Sequence, residues 1–277
     1  MMRLDFAAEK LAMTSIRPAA VAGYFYPSDP AELAGQIKHL LAQAHTKPSN
    51  HAPKVLIVPH AGYIYSGPVA ATAYHALLPW ADSIERVILL GPSHRVAVRG
   101  LALPDAEAFA TPLGSVPLDL EFCNRLARLP QIHTLAACHA AEHSLEVQLP
   151  FLQSVLHDFK LVPLIVGLAS AQDVADVLEF AWGGPETLIV VSSDLSHYLP
   201  YDQAQARDAD TLQRIVSTNN HIGDQDACGC APIRGLLLLA HELGLKGELL
   251  DYRNSGDTAG DKSRVVGYAA VTFSEDA

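Results

Sequence analysis

The stretch "VLIVPHAGYIYSG" (residues 55–67) decides the reading of the fold. Four apolar residues, three of them β-branched, read as a short strand with no polar alternation, so both of its faces are expected to be buried. The strand ends at Pro59, and His60 follows at its carboxyl end. The small residues of "SGPVAATAYHALLPW" then read as a helix. The pattern recurs: "RVILLGPSHR" carries His94 just past a second apolar run, and "TLIVVSSDLSHY" carries Asp194 and His197 past a third.

Between these strands lie helical signals. Ser28 or Asp29 can cap a helix that has Pro30 in its first turn and a stripe of Leu33, Ile37, Leu40 and Leu41. "DLEFCNRLARL", "YDQAQARDADTLQRIVS" and "APIRGLLLLAHELGL" read as helices, and so does "SAQDVADVLEFAWG", with Ser170 as N-cap and Asp173 three residues on. In "EHSLEVQLPFLQSVL", Leu145, Leu149 and Leu152 keep helical spacing and Pro150 reads as a kink or break. "KLVPLIVG", "GELLDYRNSG" and "SRVVGYAAVTF" read as strands, whereas 100–120 is irregular. Strands that alternate with helices and are apolar on both faces predict an α/β fold, with a mixed, mostly parallel central sheet flanked by helices.

The chain has 277 residues, 49% of them hydrophobic, enough for a sizeable core, and shows neither a repeat nor a dividing linker. One domain over residues 16–277 is expected, after a loose N-terminus over 1–15. A net charge of −11 and the lack of a basic stripe argue against nucleic acid as a partner. Four cysteines in a chain of this length do not make a disulfide framework, and the opening residues lack a secretory h-region. No run approaches the ~20 apolar residues of a membrane span. Reduced thiols and a cytoplasmic location are therefore expected.

In an open α/β sheet, ligands bind beyond the carboxyl ends of the strands. If the three runs are parallel, His60, His94, Asp194 and His197 share one cleft, where imidazoles suit metal binding or proton transfer. Each histidine taken alone is more readily explained as a capped or hydrogen-bonded turn residue than as a ligand. Histidine at three equivalent strand ends is less easily explained, because turn chemistry prefers Gly, Asn, Asp and Ser there. Glu142, His143 and Glu146 of "AAEHSLEVQLPFL" form a further cluster: His143 and Glu146, three residues apart, either line the cleft or cap a helix start. "DACGCAP" places Cys228 and Cys230 ahead of a helix, as a soft ligand or as small residues in a tight turn. A C-x-C pair without a second pair is not a structural zinc site.

Taken together and in this order, "PHAGYIYSG", "GPSH", "EHSLEVQLPFL", "SSDLSHY" and "CGCAPI" resemble the MEMO family (mediator of ErbB2-driven cell motility), whose bacterial and archaeal members are often named AmmeMemoRadiSam system protein B. The resemblance runs from "RPAAVAGYFYP" to "GYAAVTF". It implies a fold similar to class III extradiol dioxygenases, the non-haem iron enzymes that cleave catechol rings. It implies His60, His94 and Cys228 as metal ligands for iron(II) or copper(I). It implies His197 as the acid/base group with Asp194 beside it, and His143 on the motif closing the same pocket. The family name further implies a radical-SAM protein and an AMMECR1-like protein as partners. The chain departs from the animal pattern at Tyr63, where tryptophan stands, at Ser196, where cysteine can occur, and at Cys230, a second thiol.

Two imidazoles and a thiolate make a borderline-to-soft site, suited to Cu(I), Zn or Fe(II) rather than Mg or Ca. The methionines are Met1, Met2 and Met13, so a blue-copper centre with an axial thioether is not expected. Three functions are consistent with such a site: a dioxygenase-like oxidoreductase acting on a small substrate, a metal- or peptide-binding scaffold with a relic active site, and a zinc hydrolase.

Overall fold

The computed structural model describes residues 15–47 and 49–275. The loose N-terminus expected over 1–15 lies outside them except for Ser15. The strands are β1 (Ile16–Arg17), β2 (Val55–Val58), β3 (Arg86–Pro92), β4 (Leu101–Leu103), β5 (Ala108–Thr111), β6 (Gly114–Pro117), β7 (Ile132–Thr134), β8 (Lys160–Val166), β9 (Thr187–Ser192), β10 (His197–Leu199), β11 (Lys246–Asn254) and β12 (Val265–Ser274).

The large sheet runs β10-β12-β2-β9-β3-β8-β4-β7, with β11 also paired to β12. Its centre, β2-β9-β3-β8, is parallel throughout. Antiparallel pairs flank it, β12 on β2 at one side and β4 on β8 at the other. The fold is the expected mixed α/β arrangement.

The all-apolar strands have the burial that their composition demands. Successive side chains on β2 point to opposite faces. Leu56 and Val58 join one core with Leu33, Ile37, Tyr63, Tyr74 and Phe151, from the helices Pro30–Gln43, Tyr63–His75 and Leu149–Val155. Val55 and Ile57 join the other with Val174, Leu178, Leu212 and Leu236, from the helices Ala171–Phe180, Tyr201–Val216 and Cys230–Glu242. Helices Ala171–Phe180 and Cys230–Glu242 touch so closely that a Cβ on Gly235 would lie 2.3 Å from Val174 Cβ.

The helix caps read from sequence are present: Asp29 accepts from the N–H groups of Ala31 and Glu32, and Ser170 and Asp173 form a capping box. One local reading needs correction and one is narrowed. The region 100–120 holds three short strands, β4, β5 and β6, and β5 and β6 join β1 in a separate three-stranded sheet. Of the two readings of Pro150, the break holds and the kink does not: it lies in the first turn of the helix Leu149–Val155, where its missing N–H costs nothing, after a 3₁₀ turn over Glu146–Gln148.

The topology brings the site together. β9 lies between β2 and β3, with Ser192 in register with Val58. His60, His94 and Asp194 each stand two residues beyond the carboxyl end of one of these parallel strands.

Candidate metal centre

His60 is buried and fixed from two sides. Its backbone N–H donates to Asp194 Oδ1 at 2.7 Å, and its Nδ1 lies 2.9 Å from Ser192 Oγ. The proton positions follow from the neighbouring bonds. Tyr74 O–H donates to Gln148 Oε1, which orients the amide so that Nε2 donates to Pro59 O and to Ser192 Oγ. The single Ser192 hydroxyl proton goes to Ser144 O at 2.6 Å. Ser192 therefore accepts from His60, Nδ1 carries the ring proton, and Nε2 presents a lone pair. Burial, followed by the nearby imidazoles of His143 and His94, holds the His60 pKa well below its ordinary value, so the ring is neutral.

His94 is fixed by Glu142 in the same sense. Glu142 Oε2 accepts the His94 backbone N–H at 2.6 Å and Oε1 lies 2.9 Å from His94 Nδ1. Burial works to raise the Glu142 pKa, but bonds from His94 and Ser144 outweigh it and bring the pKa down to about 2. The carboxylate is thus an acceptor only, His94 Nδ1 donates, and its Nε2 is left free. Glu142 Oε1 also accepts the backbone N–H groups of His143 and Ser144, which fixes the turn carrying His143.

His143 completes a cluster. Its ring stacks on His94 with centroids 4.6 Å apart, meets His60 edge-on at 5.4 Å, and rests on Phe25 at 4.7 Å. His143 Nδ1 is 3.2 Å from Glu142 Oε1 but is buried without a hydrogen-bond partner. Burial brings its pKa down to about 4. One nitrogen from each of His60, His94 and His143 lies within 4.8 Å of the other two, a grouping that could hold a metal ion. The donor set fits: three imidazoles, two of them with Nδ1 held from behind by Ser192 and Glu142, suit Zn, Cu or Fe.

Cys228, expected as the third ligand, is not in this trio. Its Sγ lies 3.2 Å from His60 Nε2 and accepts the Asp194 N–H at 3.3 Å, so it borders the cluster at His60. Burial, then the charge of Asp194, pushes the thiol pKa up. The two cysteines are told apart by their partners, because Cys230 Sγ instead faces Asp224 Oδ1 at 2.9 Å. Asp194 is buried behind His60, and burial raises its pKa to about 7. His197 is exposed at the start of β10, near enough to His60 and His94 to act on their charges but outside the trio.

Glu146 does not line the cleft. It is fully buried, pairs with Arg17, and accepts from Ala20 N, Val21 N and Tyr26 O–H. Ser192 and Gln148 went unread in the sequence. The available signal was polarity out of place, a serine ending an apolar strand and a glutamine inside "LEVQLPFL".

Among the described residues no helix is long and apolar enough to cross a membrane. The sequence matches the Memo-like protein family over residues 17–272. It is 39% identical to a MEMO1 family protein of Methanopyrus kandleri, over 93% of this chain and 98% of the other. It is 38% identical to one of Sulfolobus acidocaldarius, over 94% and 100%, and 36% identical to one of Aquifex aeolicus, over 93% and 99%. Among solved structures, an uncharacterized protein, JW3007, of Escherichia coli K12 aligns with a TM-score of 0.47 at 12% identity, over 79% of this chain and 98% of that one, too slight a likeness to argue from. On the family match and these relatives, the chain belongs to the Memo-like family.

Proposed function

We propose that this chain is a transition-metal protein of the Memo-like family, with His60, His94 and His143 as ligands, and that it serves as an oxidoreductase of the non-haem dioxygenase type on a small substrate. The observation that carries the reading is the convergence of three imidazoles, two with Nδ1 engaged by Ser192 and Glu142 so that Nε2 is the nitrogen left to ligate. Iron(II) or copper(I) suits this donor set, with zinc as the redox-inert option. When bound, iron or copper would supply a Lewis acid able to change oxidation state with coordination positions left open.

The chain's own groups would do the rest. Ser192 and Glu142 hold two rings in the ligating tautomer, and Phe25 covers one face of His143. His197 stands at the rim, where partial desolvation of its ring lowers its pKa, so the neutral ring can take a proton from a substrate hydroxyl. Asp194 holds the His60 backbone.

A second reading places Cys228 among the ligands in place of His143, favoured by the 3.2 Å approach of its sulfur to His60 Nε2. The experiment for the function is oxygen uptake by the anaerobically purified, iron- or copper-loaded protein over a panel of catechols and related phenols. Turnover lost in His60→Ala and His197→Ala supports the reading. Tight metal binding with no oxygen uptake for any compound would support a non-enzymatic binder, and turnover with zinc and without oxygen a hydrolase.

A further inference from the structure

The residue cluster behind the metal centre points to a part played by the N-terminal strand. Arg17 lies on β1, far from the imidazoles in sequence, and is 6% exposed. Its guanidinium spends all three nitrogens on the segment that carries Glu142 and His143. Nε donates to His139 O at 2.9 Å, Nη2 donates to Glu142 O at 2.6 Å, and Nη1 pairs with the Glu146 carboxylate. Phe109, the register partner of Arg17 on β5, supports the group from below, with its ring centroid 5.0 Å from Arg17 Cζ. The same Glu146 carboxylate accepts from Ala20 N, Val21 N and Tyr26 O–H. Residues 17–26 and 139–146 are thus tied together at several points, and Phe25 of the first segment rests on the ring of His143 in the second.

We infer that Arg17 is a positioning residue for the metal centre: its guanidinium sets where the Glu142–His143 turn sits against the ends of β2 and β3, and through it the placement of two of the three imidazoles. Glu142 holds His94 from the side chain and is itself held by Arg17 through its carbonyl. His143 is the next residue in the chain, and its ring nitrogen Nδ1 has no hydrogen-bond partner of its own to locate it. Its position therefore depends on the backbone on either side, which Arg17 grips at the carbonyls of 139 and 142 and, through the Glu146 side chain, beyond it. A lysine cannot take over, because one ammonium on a flexible stem does not reproduce three donors in a fixed plane. The inference rests on the metal-site reading above.

The test is Co(II) affinity by chelator competition, with the ligand-field spectrum recorded alongside, for the parent, Arg17→Lys and Arg86→Lys. Arg86 pairs with Asp119 at the amino end of β3, the end opposite His94, and controls for loss of a partly buried ion pair remote from the site. Arg17→Lys is expected to bind Co(II) at least ~10-fold more weakly with a shifted spectrum, as is typical when groups behind metal ligands are altered. Arg86→Lys is expected to keep the parental affinity and spectrum, whatever its thermal stability. Parental affinity and spectrum in Arg17→Lys would overturn the inference while leaving the metal site standing. A parent that binds no Co(II) would overturn the metal-site reading and the inference with it. Should Arg17→Lys fail to fold, Glu146→Gln decides, since it sets an amide against donors and slackens the same grip; unchanged affinity there would overturn the inference.

Discussion

Glu142 holds His94 with both carboxylate oxygens, Oε2 on the backbone N–H at 2.6 Å and Oε1 on Nδ1 at 2.9 Å. The carboxylate is nearly fully buried and stays ionised down to about pH 2. Glu142→Gln keeps the shape but replaces an acceptor-only group with one that can also donate, so the His94 tautomer is no longer dictated. Metal affinity is expected to fall ~10- to 100-fold. Competition titration of the variant against the parent checks this, and unchanged affinity would remove Glu142 from the account.

Ser192 is the matching support for His60. Ser192→Ala strands three partners at once: His60 Nδ1, Gln148 Nε2 and Ser144 O. Each buried group left unpaired costs about 1–3 kcal/mol, so the variant should lose at least ~2 kcal/mol of unfolding free energy. Nitrogen-15 shifts of the His60 ring should change from a pure Nδ1–H form to a mixture. A pure Nδ1–H ring in the variant would show that something else sets the tautomer.

His139 should make stability depend on pH. It is buried, its Nε2–H donates to Ala102 O, and burial brings its pKa from the usual 6.5 down to about 4. The unfolded chain therefore binds a proton in a range where the folded chain does not. This contribution is fully present above about pH 6.5 and is lost as pH falls toward 4. Between pH 7 and pH 5 the parent should lose about 2 kcal/mol more than His139→Gln. Urea denaturation at the two pH values reads the difference, and equal losses would contradict it.

Gly229 keeps Cys228 against His60. An added Cβ would lie 2.6 Å from Ser193 Cβ and 3.0 Å from Ser192 O. Gly229→Ala should cost about 1–3 kcal/mol through overpacking. It should also move the thiol away from His60, which the spectrum of a Co(II)-loaded sample would register. A spectrum and stability identical to the parent would show that the turn yields freely.

The apolar runs and their imidazole endings were legible because strand burial and strand ends leave plain marks in sequence. His60, His94 and Asp194 could be placed on one sheet edge from that alone. His143 was legible only as part of a cluster, because its approach to the other rings depends on a turn held by Glu142 and Arg17, and side-chain contacts across more than a hundred residues leave no periodicity. By spacing Glu146 could line the cleft or cap a helix start, and the 3₁₀ turn at Glu146–Gln148 replaces the helix on which the cleft reading relied. Pro150, readable as a kink or a break, marks the break, since it lies in the first turn of a new helix. The two thiols are two residues apart in sequence, and only their partners, His60 and Asp224, separate their roles.

The central claim is that His60, His94 and His143 hold one metal ion. The most direct measurement is the metal content, by mass spectrometry, of anaerobically purified protein without a histidine tag, for the parent, His143→Ala and Cys228→Ser. The account predicts stoichiometric iron or copper in the parent, its loss in His143→Ala, and its retention in Cys228→Ser. Metal retained in His143→Ala and lost in Cys228→Ser, or no metal in the parent even after reconstitution, would contradict it.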